Sequence, residues 1–200
     1  SDGGTLLSQP IKGTARRSDD PVTDTILREN LRLDLKERSE NVMIVDLVRN
    51  DLSRVAQRGS VQVDELFGVY SFKTVHHMIS SITARLTDEL SPWDAVKACF
   101  PPGSMTGAPK ISAMKLIEDH ENFRRGPYAG GFGWMDAPGS GLTNETSFDF
   151  NVMIRTLLFN SDKQLTSLSV GSALTAAADP EKEYEECLLK ARALMEVLNP

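Results

Sequence analysis

Four glutamates in the sequence form two pairs whose spacing suits a metal ion. Glu37 and Glu40 lie three residues apart in one helical segment, as do Glu183 and Glu186 near the end of the chain. Residues three apart lie on one face of a helix, and carboxylate oxygens are ligands that suit Mg²⁺. Two such helices brought together would bind Mg²⁺, although glutamates at this spacing also occur on ordinary solvent-exposed helix faces.

Lys12 is another residue that could do chemistry. It lies in the segment QPIKGTARR, between a proline-led turn and a glycine, and Arg16 and Arg17 follow closely. Its role is either to carry positive charge, like the arginines, or to act as a free amine. An ordinary lysine is almost fully protonated at pH 7, so nucleophilic attack requires burial or nearby cations that favour the neutral amine.

Two predicted strands carry polar side chains that could reach a ligand. His76 and His77 are adjacent in a strand-like segment, so only one of them faces any given site. A lone strand histidine is more often a hydrogen-bonded core residue than an acid or base. Arg155 is predicted on the polar face of another strand, which also carries Asp149. A guanidinium there suits a carboxylate ligand or a structural ion pair with an acid.

The elements that position these residues are helices and strands in an order without strict alternation. An acid or serine followed by proline predicts several helix starts. The predicted helices run from Asp20-Pro21 to about Ala56, from Ser91-Pro92 to Cys99, over ISAMKLIEDHE, and from Asp179-Pro180 to about Leu198. The predicted strands are TLLSQ, two within residues 60–86, GPYAGGFGWMD and SFDFNVMIRTLLF around the polar hairpin APGSGLTNET, and LTSLSVGSALT. This mixture predicts an α+β fold.

Composition limits the function classes. The length of 200 residues and the hydrophobic content of 40% indicate one globular domain. A net charge of −6 argues against nucleic-acid binding, and no apolar run approaches the roughly 18 residues that span a membrane. Cys99 and Cys187 lack metal-ligand spacing and are expected to be free thiols. We therefore predict a cytoplasmic location, and the start without methionine suggests a piece of a longer protein.

Several motifs together resemble the chorismate-binding enzymes, and among them those that form 4-amino-4-deoxychorismate. The motifs are PIKGTARR, ENVMIVDLVRNDLSRV, FPPGSMTGAPKISAM, RRGPYAGGFGW, MIRT and DPEKEYEE, in the order that the family has them. The resemblance covers nearly the whole chain. It implies an α+β sandwich of antiparallel sheets with flanking helices, in which residues 1–200 form the C-terminal portion of one chorismate-binding domain that is incomplete at its N-terminus.

The resemblance also implies a binding site. Glu40 and Glu186 are expected to be the closer Mg²⁺ ligands, with Glu37 and Glu183 in support, and the metal to bind the ring carboxylate of chorismate. Tyr128 and Arg155 are expected to hold the enolpyruvyl carboxylate. The other residues that the resemblance assigns to the substrate are Ser104, Gly171, Ser172, Ala173 and Lys190.

By resemblance, Lys12 and His77 are the catalytic residues. In the similar enzymes the lysine amine attacks C2 of the ring and expels the C4 hydroxyl, and ammonia from a glutamine amidotransferase then enters at C4. Anthranilate synthases, the first alternative, tend to carry alanine where this chain has Lys12. Isochorismate and salicylate synthases share the metal site but match the motifs less well. A further alternative is a non-catalytic fragment that binds a metal or a partner, because the family's Ser-Pro-Glu segment is expected upstream of residue 1.

Overall fold

The computed structural model describes residues 4–136, 146–176 and 178–198. They group into two compact units, Ser1–Glu121 with Gly133–Asp149 and Asn122–Phe132 with Phe150–Pro200. Helices and antiparallel strands occur together, which confirms the predicted α+β class. The single domain predicted from the length of the chain stays a prediction.

The elements follow the chain from strand β1 to helix α6. The first unit contains β1 (Thr5–Ser8), β2 (Ile11–Arg16), α1 (Pro21–Leu33), α2 (Leu35–Ser53), β3 (Gln62–Ser71), β4 (Val75–Arg85), α3 (Pro92–Cys99), α4 (Gly103–Thr106) and α5 (Lys110–His120). Strands β5 (Gly131–Met135) and β6 (Phe148–Val152) pair with each other and contribute residues to both units. The second unit contains β7 (Leu157–Asn160), β8 (Leu165–Leu168) and α6 (Pro180–Leu198).

Strand β4 is the centre of the sheet in the first unit. It pairs antiparallel with β1 and β2 in succession, and also with β3. Ile79, for example, lies opposite both Ile11 and Gly68, so β2 and β3 occupy opposite edges of β4. Met78 and Ile82 are fully buried. The core continues through Val45 and Leu52 of α2 and other buried side chains: Leu6, Val55, Ala84, Leu86 and Ala95.

Side-chain caps define where the helices begin. The Asp20 carboxylate accepts a hydrogen bond from the Thr23 N–H at 2.9 Å, and Pro21 follows as predicted. The single helix predicted to run on to Ala56 is in fact two, because Asp34 is extended and caps α2 by accepting from the Glu37 N–H at 3.0 Å. The capping box of Ser91 and the end of α3 at Cys99 match the prediction.

Arg155 is not on a strand, which corrects the sequence prediction. The predicted strand SFDFNVMIRTLLF is interrupted, since β6 ends at Val152 and β7 begins at Leu157. Between them Arg155 has a left-handed φ of 51°. The turn is held by hydrogen bonds from the Ile154 N–H to the Val152 carbonyl at 2.9 Å and from the Thr156 hydroxyl to the Ile154 carbonyl at 3.0 Å.

Other segments also differ from the prediction. Strand β2 is added in PIKGTARR, the loop FPPGSMTGAPK contains the short helix α4, and LTSLSVGSALT is a strand only over Leu165–Leu168. The polar hairpin APGSGLTNET lies outside the described residues except for its last residue. Among the described residues, none of the helices has the length and hydropathy of a membrane span.

Both cysteines are free thiols, as predicted. Burial raises the pKa of Cys99 to about 11, and the nearby Asp51 carboxylate contributes to the shift. Because the thiolate is the reactive form, Cys99 is a structural residue of the first unit.

Gly13 occupies a position where a side chain does not fit. Its φ is +102°, and an added Cβ would lie 3.1 Å from the Met78 Cβ and 3.2 Å from Leu31 Cδ1. Gly59 has a similar φ of +81° with nothing within 4 Å. We expect Gly13→Ala to lower the free energy of unfolding by about 2–4 kcal/mol and Gly59→Ala by about 1 kcal/mol. Urea unfolding of both variants measures this difference, and equal losses would show that the space around Gly13 is not restrictive.

Candidate active site

A bulge in β2 places Lys12 beside α2. Between the pairs Ile11–Ile79 and Thr14–His77, strand β2 has one residue more than β4, so Lys12 and Gly13 together lie opposite Met78. Such a bulge redirects a side chain out of the regular ladder. The Lys12 amine lies 3.7 Å from a carboxylate oxygen of Glu40, and both side chains are about four-fifths buried.

Glu37 and Glu40 form a carboxylate pair on the first turns of α2, as their spacing predicts. Burial raises the pKa of Glu37, and the negative charges of Glu40 and Asp34 raise it further. Lys36 lies 3.9 Å from the other oxygen of Glu40. Lys12 and Lys36 thus partly offset the negative charge of the pair, and a bound divalent cation would compete with these ammonium groups for the Glu40 carboxylate.

The two adjacent histidines have different surroundings. The Nδ1 atom of His77 shares a hydrogen bond of 2.9 Å with the Thr14 hydroxyl, and its ring meets Phe72 edge-on at 5.5 Å between centroids. Since Thr14 lies in β2 two residues after Lys12, His77 and Lys12 belong to the same region of the first unit.

His76 is a hydrogen-bonded core residue, as expected for most histidines within a strand. Only 1% of its surface is exposed, and its ring nitrogens bond to Ser71 at 2.9 Å and Asp24 at 3.0 Å. Asp24 also binds Arg17 at 2.9 Å, and this guanidinium, with the Ser18 N–H, holds the pKa of Asp24 far below its usual range. Arg17 therefore forms a structural ion pair with Asp24.

The second unit brings most of its predicted residues together around Gly171 and Ser172. The Ser172 hydroxyl bonds to Glu183 and lies 3.3 Å from Glu186. Lys190 donates to the Gly171 carbonyl at 3.0 Å and pairs with Glu186 at 2.8 Å. A side chain at Gly171 would meet the Tyr128 hydroxyl, which is 2.8 Å from the Cβ position. This region of the second unit therefore carries a second carboxylate pair, an ammonium group and a phenol.

Three predicted residues stand apart from these contacts. Arg155 is exposed, and its guanidinium makes no ion pair among the described residues, so the structural pairing with Asp149 is not formed. Ser104 is exposed in α4, which packs on α2 so closely that a Cβ at Gly103 would lie 2.2 Å from Leu47. Ala173 is half-buried and follows Ser172 in an irregular segment.

Sequence reasoning missed several polar residues of the first unit. Thr14 was missed because its strand, β2, was not predicted. Asn41 was missed because only the glutamates of its helix have a spacing that suggests a metal site. Asp51 and Lys110 form a buried ion pair at 2.6 Å between α2 and α5. Asparagine has a low propensity for the middle of a helix. Its presence at position 41 is therefore a signal in the sequence that predicts a tertiary hydrogen bond of this side chain.

The carboxylate oxygens of the two glutamate pairs are the type of ligand that Mg²⁺ takes. Within either unit, the described residues contain no group of three or more His, Cys, Asp and Glu side chains that could hold a metal ion. Each unit instead supplies one carboxylate pair, and hard oxygen ligands are those that Mg²⁺ takes. A Mg²⁺ site made of all four glutamates stays a prediction.

Comparison with known proteins identifies the class to which this fold belongs. A family model described as chorismate binding enzyme matches residues 1–196, so the chain belongs to the chorismate-binding enzyme family.

Similar proteins carry two different activities in their names. The chain is 45% identical over 193 residues to a probable aminodeoxychorismate synthase, chloroplastic, of Oryza sativa subsp. japonica, covering 96% of this chain and 21% of the relative. It is 41% identical over 193 residues to anthranilate synthase component 1 of Synechocystis sp., covering 95% and 37%. A crystal structure of anthranilate synthase component I from Streptococcus pneumoniae matches with a TM-score of 0.82 and 34% identity, covering 96% and 40%. The chain thus spans about a fifth of the rice relative and about two fifths of the others.

Glu37 provides a test of the charge at the site. Because its folded-state pKa is raised above an ordinary value near 4.5, stability falls as pH rises between the unfolded and folded pKa values, and the cost persists above both. Without metal, Glu37→Gln should therefore raise the melting temperature at pH 7 and leave it unchanged near pH 4. Calorimetry at both pH values measures this, with the exposed Glu29→Gln of α1 as control. A lower melting temperature at pH 7 would mean that the Glu37 carboxylate stabilises the fold.

Proposed function

We propose that this chain carries the chorismate site of an aminodeoxychorismate synthase, which replaces the C4 hydroxyl of chorismate with an amino group. The observation that carries the proposal is the position of the Lys12 amine, 3.7 Å from Glu40 at a bulge of β2. The amine is thereby next to one of the carboxylate pairs that would bind Mg²⁺, and a bound metal would supply there the nearby positive charge that favours a neutral amine. Relatives named aminodeoxychorismate synthase, at 45% identity in rice, support the same assignment.

The substrate is held through its two carboxylates in this proposal. Glu37, Glu40, Glu183 and Glu186 are the residues that would hold Mg²⁺, which supplies positive charge for the ring carboxylate. Lys190 and the backbone around Ser172 and Ala173 assist at the same group. Tyr128 and Arg155 bind the enolpyruvyl carboxylate, and the guanidinium of Arg155, which has no ion pair with the described residues, suits a bidentate contact. Ser104 contributes a hydroxyl.

Lys12 then acts as the nucleophile. Its neutral amine forms a bond to C2 of the ring, the ring double bonds shift, and the bond between C4 and its hydroxyl breaks. His77, oriented by Thr14, supplies the proton with which that hydroxyl leaves as water. Ammonia next bonds to C4, the double bonds shift back, and the bond between C2 and Lys12 breaks to release 4-amino-4-deoxychorismate. We expect a glutamine amidotransferase to supply the ammonia.

Anthranilate synthesis is the second candidate, because a relative at 41% identity bears the name anthranilate synthase component 1. In that reaction ammonia attacks C2 directly, and no lysine is required. The presence of Lys12 therefore favours amination at C4. The cytoplasmic location also stays a prediction, since the rice relative is named as chloroplastic.

Substitution of Lys12 tests the proposed chemistry. In the complete protein that carries this chain, Lys12→Ala should lose the lysine route to 4-amino-4-deoxychorismate and keep only a slow residual turnover of chorismate by direct attack of ammonia at C2. It should still bind chorismate, since the metal and Arg155 supply most of the binding. Lys12→Arg should lose the same route, because a guanidinium keeps the charge but stays protonated. Product chromatography with chorismate, Mg²⁺ and ammonia measures both variants. Turnover of Lys12→Arg to the same product at the parental rate would contradict the nucleophilic role.

The metal ligands are tested separately by calorimetric titration of chorismate with and without Mg²⁺. Glu40→Gln and Glu186→Gln should each weaken the Mg²⁺-dependent binding strongly, because each removes a charged oxygen ligand. The exposed Glu29→Gln is the control and should change the binding free energy by less than about 0.5 kcal/mol. Unchanged affinity in both ligand variants would assign the glutamate pairs to ordinary helix surface.

A further inference from the structure

A buried relay of hydrogen bonds ends at the backbone of Lys12. Asn41 of α2 and Ser80 of β4 are both 0% exposed. The Asn41 side-chain amide donates to the Lys12 carbonyl at 3.4 Å, and its oxygen accepts from the Ser80 hydroxyl at 2.6 Å. The Ser80 oxygen in turn accepts from the Phe67 N–H at 3.0 Å. Four residues from β3, β4, α2 and β2 are joined in one chain of contacts.

The relay has only one possible direction. A backbone N–H can only donate and a carbonyl can only accept, so the hydrogens must point from Phe67 through Ser80 and Asn41 to Lys12. This fixes which end of the Asn41 amide faces which neighbour. A buried amide with both ends bonded has a single orientation, and its position is determined by α2 and β4 together.

Both ends of the relay lie at irregularities of the sheet. Lys12 is in the bulge of β2, and Phe67 lies within a register shift of β3, with a left-handed φ of 61°. Arg38 of α2 lies over the Phe67 ring at 4.6 Å from the centroid. The relay therefore holds two bulges on opposite edges of β4 against the same helix.

Helix α2 contacts Lys12 at two points. Asn41 holds the carbonyl, and the preceding residue, Glu40, lies 3.7 Å from the amine. Since a bulge interrupts the regular ladder, the Asn41 contact determines where the Lys12 side chain originates. A displacement of about 1 Å at a reacting group can reduce a rate about a hundredfold.

We infer that Asn41, supported by Ser80, is a positioning residue that sets the Lys12 amine for attack on the substrate. The inference rests on the proposed function, because it assigns Asn41 a role in the reaction of Lys12. It predicts that loss of the amide donor affects the chemical step and leaves the binding of chorismate nearly intact.

Asn41→Asp is the first test, because it keeps the size of the side chain and the acceptor for Ser80 and replaces the amide donor to Lys12 by a carboxyl oxygen, although it also adds a buried acidic group. In the complete protein, kcat for 4-amino-4-deoxychorismate should fall about tenfold or more, while KM for chorismate stays within about twofold. The control is Ser81→Ala, which removes a neighbouring buried hydroxyl that bonds to Gln9 and should leave both constants at the parental level. Unchanged kcat in Asn41→Asp would overturn the inference.

A second variant tests the inference if Asn41→Asp does not fold. Asn41→Leu combined with Ser80→Ala removes the bond between the two side chains without adding charge, but it leaves the Phe67 N–H and the Lys12 carbonyl without these partners, so the melting temperature should fall. The same split between kcat and KM is expected when the kinetics are measured well below that melting temperature. A parental kcat in this folded double variant would also overturn the inference.

Combination with Lys12→Ala separates this inference from the proposed function. If Asn41 acts through Lys12, then Asn41→Asp should cause no further loss of residual turnover in the Lys12→Ala background, whereas independent effects would multiply. Independent losses contradict the positioning role. Parental turnover by Lys12→Ala and Lys12→Arg would reject the proposed function itself, and loss of turnover in these two with a normal Asn41→Asp would reject only the inference.

Discussion

The first unit depends on a strand that is buried on both faces and yet carries polar side chains. A buried polar group without a partner costs about 1–3 kcal/mol, so each of these side chains on β4 requires a neighbour with the matching donor or acceptor. Among the described residues, no buried side-chain nitrogen or oxygen lacks a partner. The bonds that meet this constraint are His76–Asp24, Ser80–Asn41 and Ser81–Gln9. They fix α1, α2 and the segment joining β1 to β2 on the central strand.

The candidate active site follows from the second of these bonds. Once Ser80 holds Asn41, the preceding turn of α2 places Glu37 and Glu40 beside the bulge of β2. Burial and mutual repulsion raise the pKa of Glu37, so the site holds negative charge at a cost to stability. Charge that is unfavourable for folding and favourable for a cation is expected where binding, and not packing, determines the residue type.

The sequence predicts local features of this protein well and tertiary ones poorly. The helix starts at Asp20 and Ser91 are readable because an acid or serine before proline caps a helix with atoms only a few residues away. Strand β2 was missed, because PIKGTARR has weak strand propensity and is ordered by pairing with β4. The glutamate pairs were found from spacing within one helix. The Asn41–Lys12 bond joins residues 29 apart, and no local pattern reveals such a contact.

The central claim is that Lys12 forms a covalent bond with the substrate, and peptide-mapping mass spectrometry tests it most directly. The complete protein that carries this chain is incubated with chorismate and Mg²⁺ in the absence of ammonia, so that the second half of the reaction has no nucleophile. The account predicts an adduct of chorismate less one water on the peptide containing Lys12, which disappears when ammonia is added. Formation of 4-amino-4-deoxychorismate with ammonia, combined with an unmodified Lys12 without it, would contradict the account.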